Sequence, residues 1–444
     1  MHLSAFKKRP IRTQGIAEPR RRGRWSHDGG LLALLCVSLA VAILVSRHNA
    51  YHPNHGYLGP AKEMVRTGHI RGDFLPVLYP ALLALGYRAF GPETGVTAAN
   101  IALSLLTLVS AWIFLRLRGL RPALTLLVVS GLSIYPDFLF SYNKTQDTSL
   151  TATAIFFFLS AFLFMGRAEL MGASKLRLWL PDVLVGITIG FAVLVRTNMI
   201  TLGIASLFVM YRLKIGRLFQ RALIQAAAAA VLYCSVTAVI HGSVFLPRNG
   251  SYNLFAGYNP YTAQHLWNEE DSIGQACSAD HVDCDARRCP RLDPFYRAAA
   301  FTFIRQHPGQ VVELFLLKFG YMMLPDLHLH PLNTLAGMAK VLAAFGIPLW
   351  VVASVLWKPR RKGPTRLLIA SVLVAVLLPF CLIISTHRFR IPLDYLCWTD
   401  LGATALLALE GKRKTQLRGP TGESRTVPSA AGHQPPSAGH TCAP

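Results

Sequence analysis

Residues Leu367–Asp394 read LLIASVLVAVLLPFCLIISTHRFRIPLD. The first part is an apolar run long enough to cross a hydrocarbon core as a helix, which takes about 20 residues. The second part sets His387, Arg388 and Arg390 at its end. Stretches of the first kind recur along the chain. Of the 444 residues, 52% are hydrophobic and only 15% charged, and the mean hydropathy is +0.38. A soluble domain carries about a quarter charged residues. The pattern predicts an all-α polytopic membrane protein.

The formal net charge is +23. The cations fall into short clusters between apolar runs, as cytoplasmic loops of membrane proteins do. No basic platform with interleaved aromatics is present, so nucleic acid is excluded as a partner. Residues 1–28 form a basic tail with Lys7, Lys8, Arg9, Arg12 and Arg20–Arg22, placed in the cytoplasm. From there the charge bias predicts about ten spans, near 30–46, 96–115, 122–139, 149–165, two within 181–211, 222–240, 334–357, 367–385 and 395–410. The pair within 181–211 is hinged at Arg196-Thr197-Asn198. RLRGLR (116–121), GRAELMGASKLR (166–177), RLKIGRLFQR (212–221) and KPRRKGPTR (358–366) then all face inward.

The outer face holds two main loops. The first, 47–94, contains YLGPAKEMVRTG and a short, Pro-broken apolar piece, both read as helices lying at the membrane surface. The second, 241–331, is the largest soluble part and holds nine of the 22 acids. VVELFLLKFGYMML within it reads as a further interfacial helix, because Glu313 and Lys318 are costly at the bilayer centre. YNLFAGYNPYTAQH (252–265) offers aromatic and amide groups suited to stacking on a sugar, or is ordinary loop chemistry. Cys277, Cys284 and Cys289 cluster without zinc-ribbon spacing and read as a structural disulfide framework, with metal binding beside His281 the lesser alternative. Cys36, Cys234, Cys381 and Cys397 lie in apolar runs and read as inert. Residues 411–444, rich in Gly, Pro, Ser and Thr, read as a disordered cytoplasmic tail.

With both termini inside, His387, Arg388, Arg390, Arg196 and Lys144 all face outward at span ends, against the usual bias. Guanidinium groups there can pair with phosphate oxygens. They can equally snorkel to headgroups, or pair with Asp394 and the loop acids. A phosphate at the outer surface of a many-span protein points to a lipid-linked donor.

The ordered set YLGPAKEMVRTG, LPVLYPALLALGYRAFG, YNKTQDTSL, GITIGFAVLVRTNMITL, FIRQHPGQVVELFLLKF and HRFRIPLD resembles the type C (GT-C) integral membrane glycosyltransferases. Within that class it is similar to the protein O-mannosyltransferase and aminoarabinose transferase group, over residues 29–410. The resemblance implies a polyprenyl-phosphate-linked sugar as donor and a glycan, lipid or protein as acceptor. It also implies transfer on the outer face; the chain is read as a bacterial inner-membrane protein, with no cofactor and no metal ligand named among its site residues. It further implies an aspartate in the first outer loop as base, beside a tyrosine matched here by Tyr57. The corresponding stretch, HPNHGYL, has Pro53 and Asn54 where carboxylates are expected. Asp147 is the first substitute, with Asp73, Glu63, His52 and His55 as alternatives. A lipid-linked glycan flippase or transporter, and a degenerate transferase that only binds lipid phosphate, are the competing readings.

Overall fold

The structure is a computed structural model and describes residues 24–48, 55–72, 75–139, 146–170, 175–247, 250–265, 269–279, 292–324, 334–356, 364–383 and 387–417. It is built of helices, with no strand among the described residues. The fold divides at Ala403 into two units, 1–403 and 404–444; everything below concerns the first. Of the second, the structure describes the last part of one helix, as far as Leu417.

α1 (Arg24–His48) leads into the segment 47–94, whose two expected helices are α2 (His55–Thr67) and α3 (Leu78–Phe90). α3 turns back into α4 (Pro92–Leu117) through Gly91, whose φ of +82° an L side chain resists. Gly86 and Gly95 let these two helices touch backbone to backbone; a Cβ on Gly86 would stand 2.3 Å from the Gly95 carbonyl oxygen. The expected span at 122–139 is divided into α5 (Pro122–Ser133) and the single turn α6 (Pro136–Leu139). Pro136 lacks an N–H and disfavours the helical conformation at Tyr135, so the chain breaks there.

α7 (Thr148–Leu170) and α8 (Lys175–Val195) form an antiparallel pair at the centre of the unit. After α8 the chain is extended at Arg196, makes one 3-10 turn at Thr197–Ile200 and continues as α9 (Thr201–Arg212). The hinge therefore lies where the sequence places it. α10 (Leu218–His241) packs on α8, and Gly186 and Gly190 bring the two backbones together. A Cβ on Gly186 would meet the Gln225 carbonyl oxygen at 2.4 Å, and one on Gly190 the Ala229 carbonyl oxygen at 2.7 Å. Such small-residue contacts are how apolar helices associate when burial gives no net advantage over lipid.

The long segment 241–331 contains α11 (Gly250–Gly257), α12 (Glu269–Ala279), α13 (Asp293–Gln306) and α14 (Pro308–Met323). Tyr252, Phe255, Ile273 and Tyr296 form its own apolar core, so much of YNLFAGYNPYTAQH faces inward rather than toward a ligand. Asn259 is likewise enclosed, bonded to Ser272 and the Phe255 carbonyl at 2.8 Å each. Cys277 is disulfide-bonded. Cys284, Cys289 and His281 lie outside the described residues, among which no group of three metal-ligating side chains occurs. Cys36, Cys234, Cys381 and Cys397 are free.

The span expected at 334–357 is kinked, as α15 (Leu335–Ala343) and α16 (Gly346–Leu356), and α17 (Pro364–Leu382) follows the KPRRKGPTR cluster. α18 (His387–Leu417) starts earlier and ends later than expected. HRFR is its first turn rather than a loop, because Arg390 and Asp394 sit one turn apart and lock to each other. Its far end continues through EGKRKTQL, residues mostly of good helix propensity, into the segment read as tail. Residues 418–444 and 1–23 lie outside the described residues. Among the described residues, six helices are long and apolar enough to cross a membrane, and α5 and Trp179–Val195 are shorter apolar helices. The protein is a polytopic, integral membrane protein.

Candidate active site

Asp147 begins α7 and Arg196 follows α8, so the antiparallel pair delivers both to the same end. There they form a bidentate ion pair. Arg196 Nε donates to Asp147 Oδ2 and Nη2 to Oδ1, both at 2.5 Å. Both residues are buried, at 2% and 7% exposure. The α7 N-terminus adds its dipole to the carboxylate's surroundings. One nitrogen of the guanidinium, Nη1, is buried with no hydrogen-bond partner among the described residues. An unsatisfied buried N–H costs about 1–3 kcal/mol, a cost that an acceptor brought to Nη1 would relieve.

Two walls enclose the pair. On one side, Phe389 of α18 lies under the guanidinium with its ring centroid 4.6 Å from Cζ, and stacks on Phe380 of α17 at 4.3 Å. On the other, Tyr79 of α3 is fully enclosed near Asp147, and its hydroxyl donates to Asn100 Oδ1 at 2.8 Å. Burial, followed by the Asp147 charge, holds the Tyr79 hydroxyl protonated well above its usual range. Tyr57 of α2 meets the Tyr79 ring edge-on at 5.0 Å. The two surface helices thus serve as a roof over the ion pair.

Arg390 has a different environment. It is fully buried, and each of its side-chain nitrogens is engaged inside the protein. Nε donates to Asp394 Oδ2 at 3.0 Å, Nη1 to the Leu324 carbonyl, and Nη2 to the Ala344 carbonyl and Asp394 Oδ1. The pairing with Asp394 that the sequence offered as an alternative is present. Every one of its side-chain nitrogens has a partner inside the protein, and Arg390 joins α14, α15 and α18.

Glu63, on α2, is half-buried, and its Oε2 accepts the Arg71 backbone N–H at 3.3 Å. Asp73 and Lys144 lie outside the described residues, as do His52, Pro53, Asn54 and the side chains of His55, His387 and Arg388. Of the expected site residues with described side chains, Asp147 and Arg196 come together.

Lys318 is a further feature. It was expected at the interface and is instead 1% exposed, whereas Glu313 on the same helix is exposed. Its Nζ donates to the Gly257 carbonyl at 2.8 Å and the Ile383 carbonyl at 2.9 Å, and stands 3.9 Å from the Tyr258 ring centroid. Tyr258 itself donates to the Leu382 carbonyl at 2.5 Å. Three partners thus replace water around a buried ammonium, whose pKa burial lowers to about 7. The staple ties the 241–331 segment to the end of α17, just before HRFR. Its signal in the sequence was a single lysine in an apolar helix. Phe389, Tyr79 and Asn100 carried no such signal, since aromatics and a lone amide in apolar runs are ordinary.

No family model matches the chain, and no curated protein matches it. Solved structures do. The ArnT of Cupriavidus metallidurans bound to undecaprenyl phosphate is similar with a TM-score of 0.51 and 16% identity, over 85% of this chain and 60% of that one. The oligosaccharyltransferase of Archaeoglobus fulgidus tethered with an acceptor peptide is similar with a TM-score of 0.52 and 14% identity, over 88% of this chain and 50% of that one. The same organism's AglB in complex with an inhibitory peptide and a dolichol-phosphate gives a TM-score of 0.51 and 13% identity, over 90% and 52%. The chain thus spans between half and three-fifths of the length of these proteins. At such identities the likeness carries the fold and not the activity. The chain has the fold of the type C integral membrane glycosyltransferases.

Proposed function

We propose that the protein transfers a sugar from a polyprenyl-phosphate carrier to an acceptor on the outer face of a bacterial inner membrane. The observation that carries this reading is the Arg196–Asp147 pair with its unpartnered Nη1. A buried guanidinium holding a carboxylate with two nitrogens, and offering a third, combines the two groups an inverting transfer needs. Asp147 takes the proton of the attacking acceptor hydroxyl, and a new bond forms to the anomeric carbon. The bond from that carbon to the phosphate oxygen breaks, and its electron pair leaves with the phosphate, beside Arg196.

The charge balance favours this assignment. Before transfer the site holds a phosphodiester of charge −1, an ionised Asp147 and Arg196. Afterwards it holds a phosphomonoester of charge about −2, a protonated Asp147 and the same guanidinium. The enclosed charge is unchanged, so no ion has to enter a low-dielectric site during the step. Phe389 keeps the guanidinium flat, and Tyr57 and Tyr79 exclude water that would compete for the sugar. An apolar groove of about 530 Å³ between α14, α16 and α17, lined by Phe319, Leu377 and Cys381, is suited to the carrier's isoprenoid chain. Arg390 keeps HRFR in place, and His387, Arg388 and Lys144 remain in the proposal as further groups for the phosphate. Glu63 and Asp73 are the alternative bases.

The test is mass spectrometry of envelope glycans from cells with and without the protein, repeated with Asp147→Asn. A product heavier by one sugar that vanishes in both the deletion and the variant supports the assignment. Identical glycans with and without the protein overturn it. A product that survives Asp147→Asn passes the base to Glu63 or Asp73.

A further inference from the structure

On the opposite side of α9 from the ion pair, the molecule has a second groove, of about 330 Å³, between α8, α9 and α10. Small residues, among them Gly190, Gly203, Ala222, Ala226 and Ala229, line it together with larger apolar ones such as Val193 and Tyr233. α8 and α10 meet backbone to backbone through Gly186 and Gly190, while α9 packs chiefly on α17, and the space between is left open. Ile200, Gly203 and Leu207 face the groove; Leu202, Ala205 and Val209 lie on the opposite, buried side of α9. The groove is therefore separate from the Arg196 site.

Its inner end has a fixed polar floor. Gln225 lines the groove and is held by Asp182 Oδ1 at 3.0 Å and by the Ser206 hydroxyl, which donates to its Oε1 at 2.8 Å. Arg221, next to Ala222, donates to Glu169, and its Nε stands 3.8 Å from Asp182. It is 7% exposed, and its Nη1 is buried without a partner among the described residues. Below that floor, the α9–α10 turn exposes Arg212, Lys214 and Arg217. From Thr201 to His241 the chain carries these cations and Arg221 with no acid at all.

We infer that this groove binds an anionic phospholipid of the inner leaflet, one acyl chain lying along Gly203 and the α10 alanines and the headgroup meeting Arg212, Lys214 and Arg217. Charge complementarity selects the occupant. A zwitterionic lipid gains nothing from three exposed cations, whereas each cation near an anionic headgroup contributes roughly a tenfold preference at best. The groove is at the lower end of small-molecule pocket sizes (about 300–1,000 Å³), which suits one chain rather than a whole lipid.

The inference is tested by native mass spectrometry of the purified protein, exchanged against phosphatidylglycerol and phosphatidylcholine of identical chains. Wild type is expected to retain phosphatidylglycerol in preference, and the variant with Arg212, Lys214 and Arg217 all changed to Gln to lose that preference by on the order of a hundredfold. Gly203→Leu fills the groove. It is expected to lower retention of both lipids while leaving their ratio unchanged, and the open space at the Gly203 Cβ position keeps the fold intact. Equal retention of the two lipids by wild type, an undiminished preference in the triple variant, or a polyprenyl phosphate as the lipid that Gly203→Leu displaces would each overturn it. None of these readings depends on turnover, so they remain decisive whatever the transfer assay returns.

Discussion

Two buried arginine–aspartate pairs stand at helix ends, and they differ in how their nitrogens are satisfied. Arg390 donates to Asp394 and to the carbonyls of Leu324 and Ala344, so every nitrogen is engaged. Arg196 donates twice to Asp147 and leaves Nη1 without a partner. Residue type and span-end position are the same for both. What distinguishes a strut from a candidate binding group is whether the fold leaves a buried nitrogen without any partner.

The comparison breaks most sharply at Arg390. Changing it to Ala leaves Asp394 charged and two carbonyls bare, which costs about 3–5 kcal/mol for a buried pair. Thermal unfolding in detergent should show a large loss of stability, with transfer lost in parallel. A variant of wild-type stability would mean that Arg390 is no strut.

At the other pair, stability and transfer should separate. Arg196→Gln alone leaves Asp147 buried and uncompensated, but Arg196→Gln with Asp147→Asn replaces the ions by two amides able to bond each other. The double variant is expected to recover most of the stability, to within about 1–2 kcal/mol of wild type, while remaining inactive in transfer. Recovery of activity together with stability would move the chemistry elsewhere.

Lys318 is the third buried cation in this region, and its expected effect is smaller. Lys318→Met leaves the Gly257 and Ile383 carbonyls without their donor but also removes a desolvated charge, for a net cost of about 1–3 kcal/mol. The sign of its pH dependence follows from burial. The folded pKa of about 7 lies below the unfolded value, 10.5, so between these pH values the unfolded chain binds more protons. The difference in stability between wild type and Lys318→Met should therefore shift in favour of wild type as pH rises above 7. A difference that stays constant from pH 6 to 9 would contradict the lowered pKa.

How much of this was legible in the sequence differs between the pairs. Apolar runs and charge bias placed α1, α4, α7, α10 and α17, the helices α2 and α3 and the hinge at Arg196, because hydrophobic length and Lys/Arg asymmetry are local properties. Pro136 divides the span expected at 122–139, while the kink before Gly346 leaves 337–356 long and apolar enough to cross a membrane. A proline inside an apolar run is also compatible with a kinked but continuous helix, so its effect is not legible locally. Arg388 and Arg390 looked equivalent, since adjacency in sequence says nothing of how many carbonyls surround a side chain. That Asp147 and Arg196 meet depends on α7 and α8 being antiparallel and in register, which no local pattern encodes. A lysine is costly at the bilayer centre, which favours an interfacial position for Lys318; the three partners that offset the cost of enclosing it come from residues as far as 65 positions away.

The smallest expected effect is at Phe389. Its ring contributes about 1 kcal/mol to holding the Arg196 guanidinium, so Phe389→Leu should reduce transfer about fivefold with little loss of stability, and Phe389→Tyr should restore it. Equal activity in all three would remove the aromatic wall from the site.

The central claim is that the free donor of Arg196 receives a lipid phosphate. It is measured most directly as retention of undecaprenyl phosphate by the purified protein in native mass spectrometry, comparing wild type with the Arg196→Gln/Asp147→Asn variant. Loss of one charge-assisted donor predicts a decrease in retention of about ten- to a hundredfold. Equal retention by the two proteins would contradict the account.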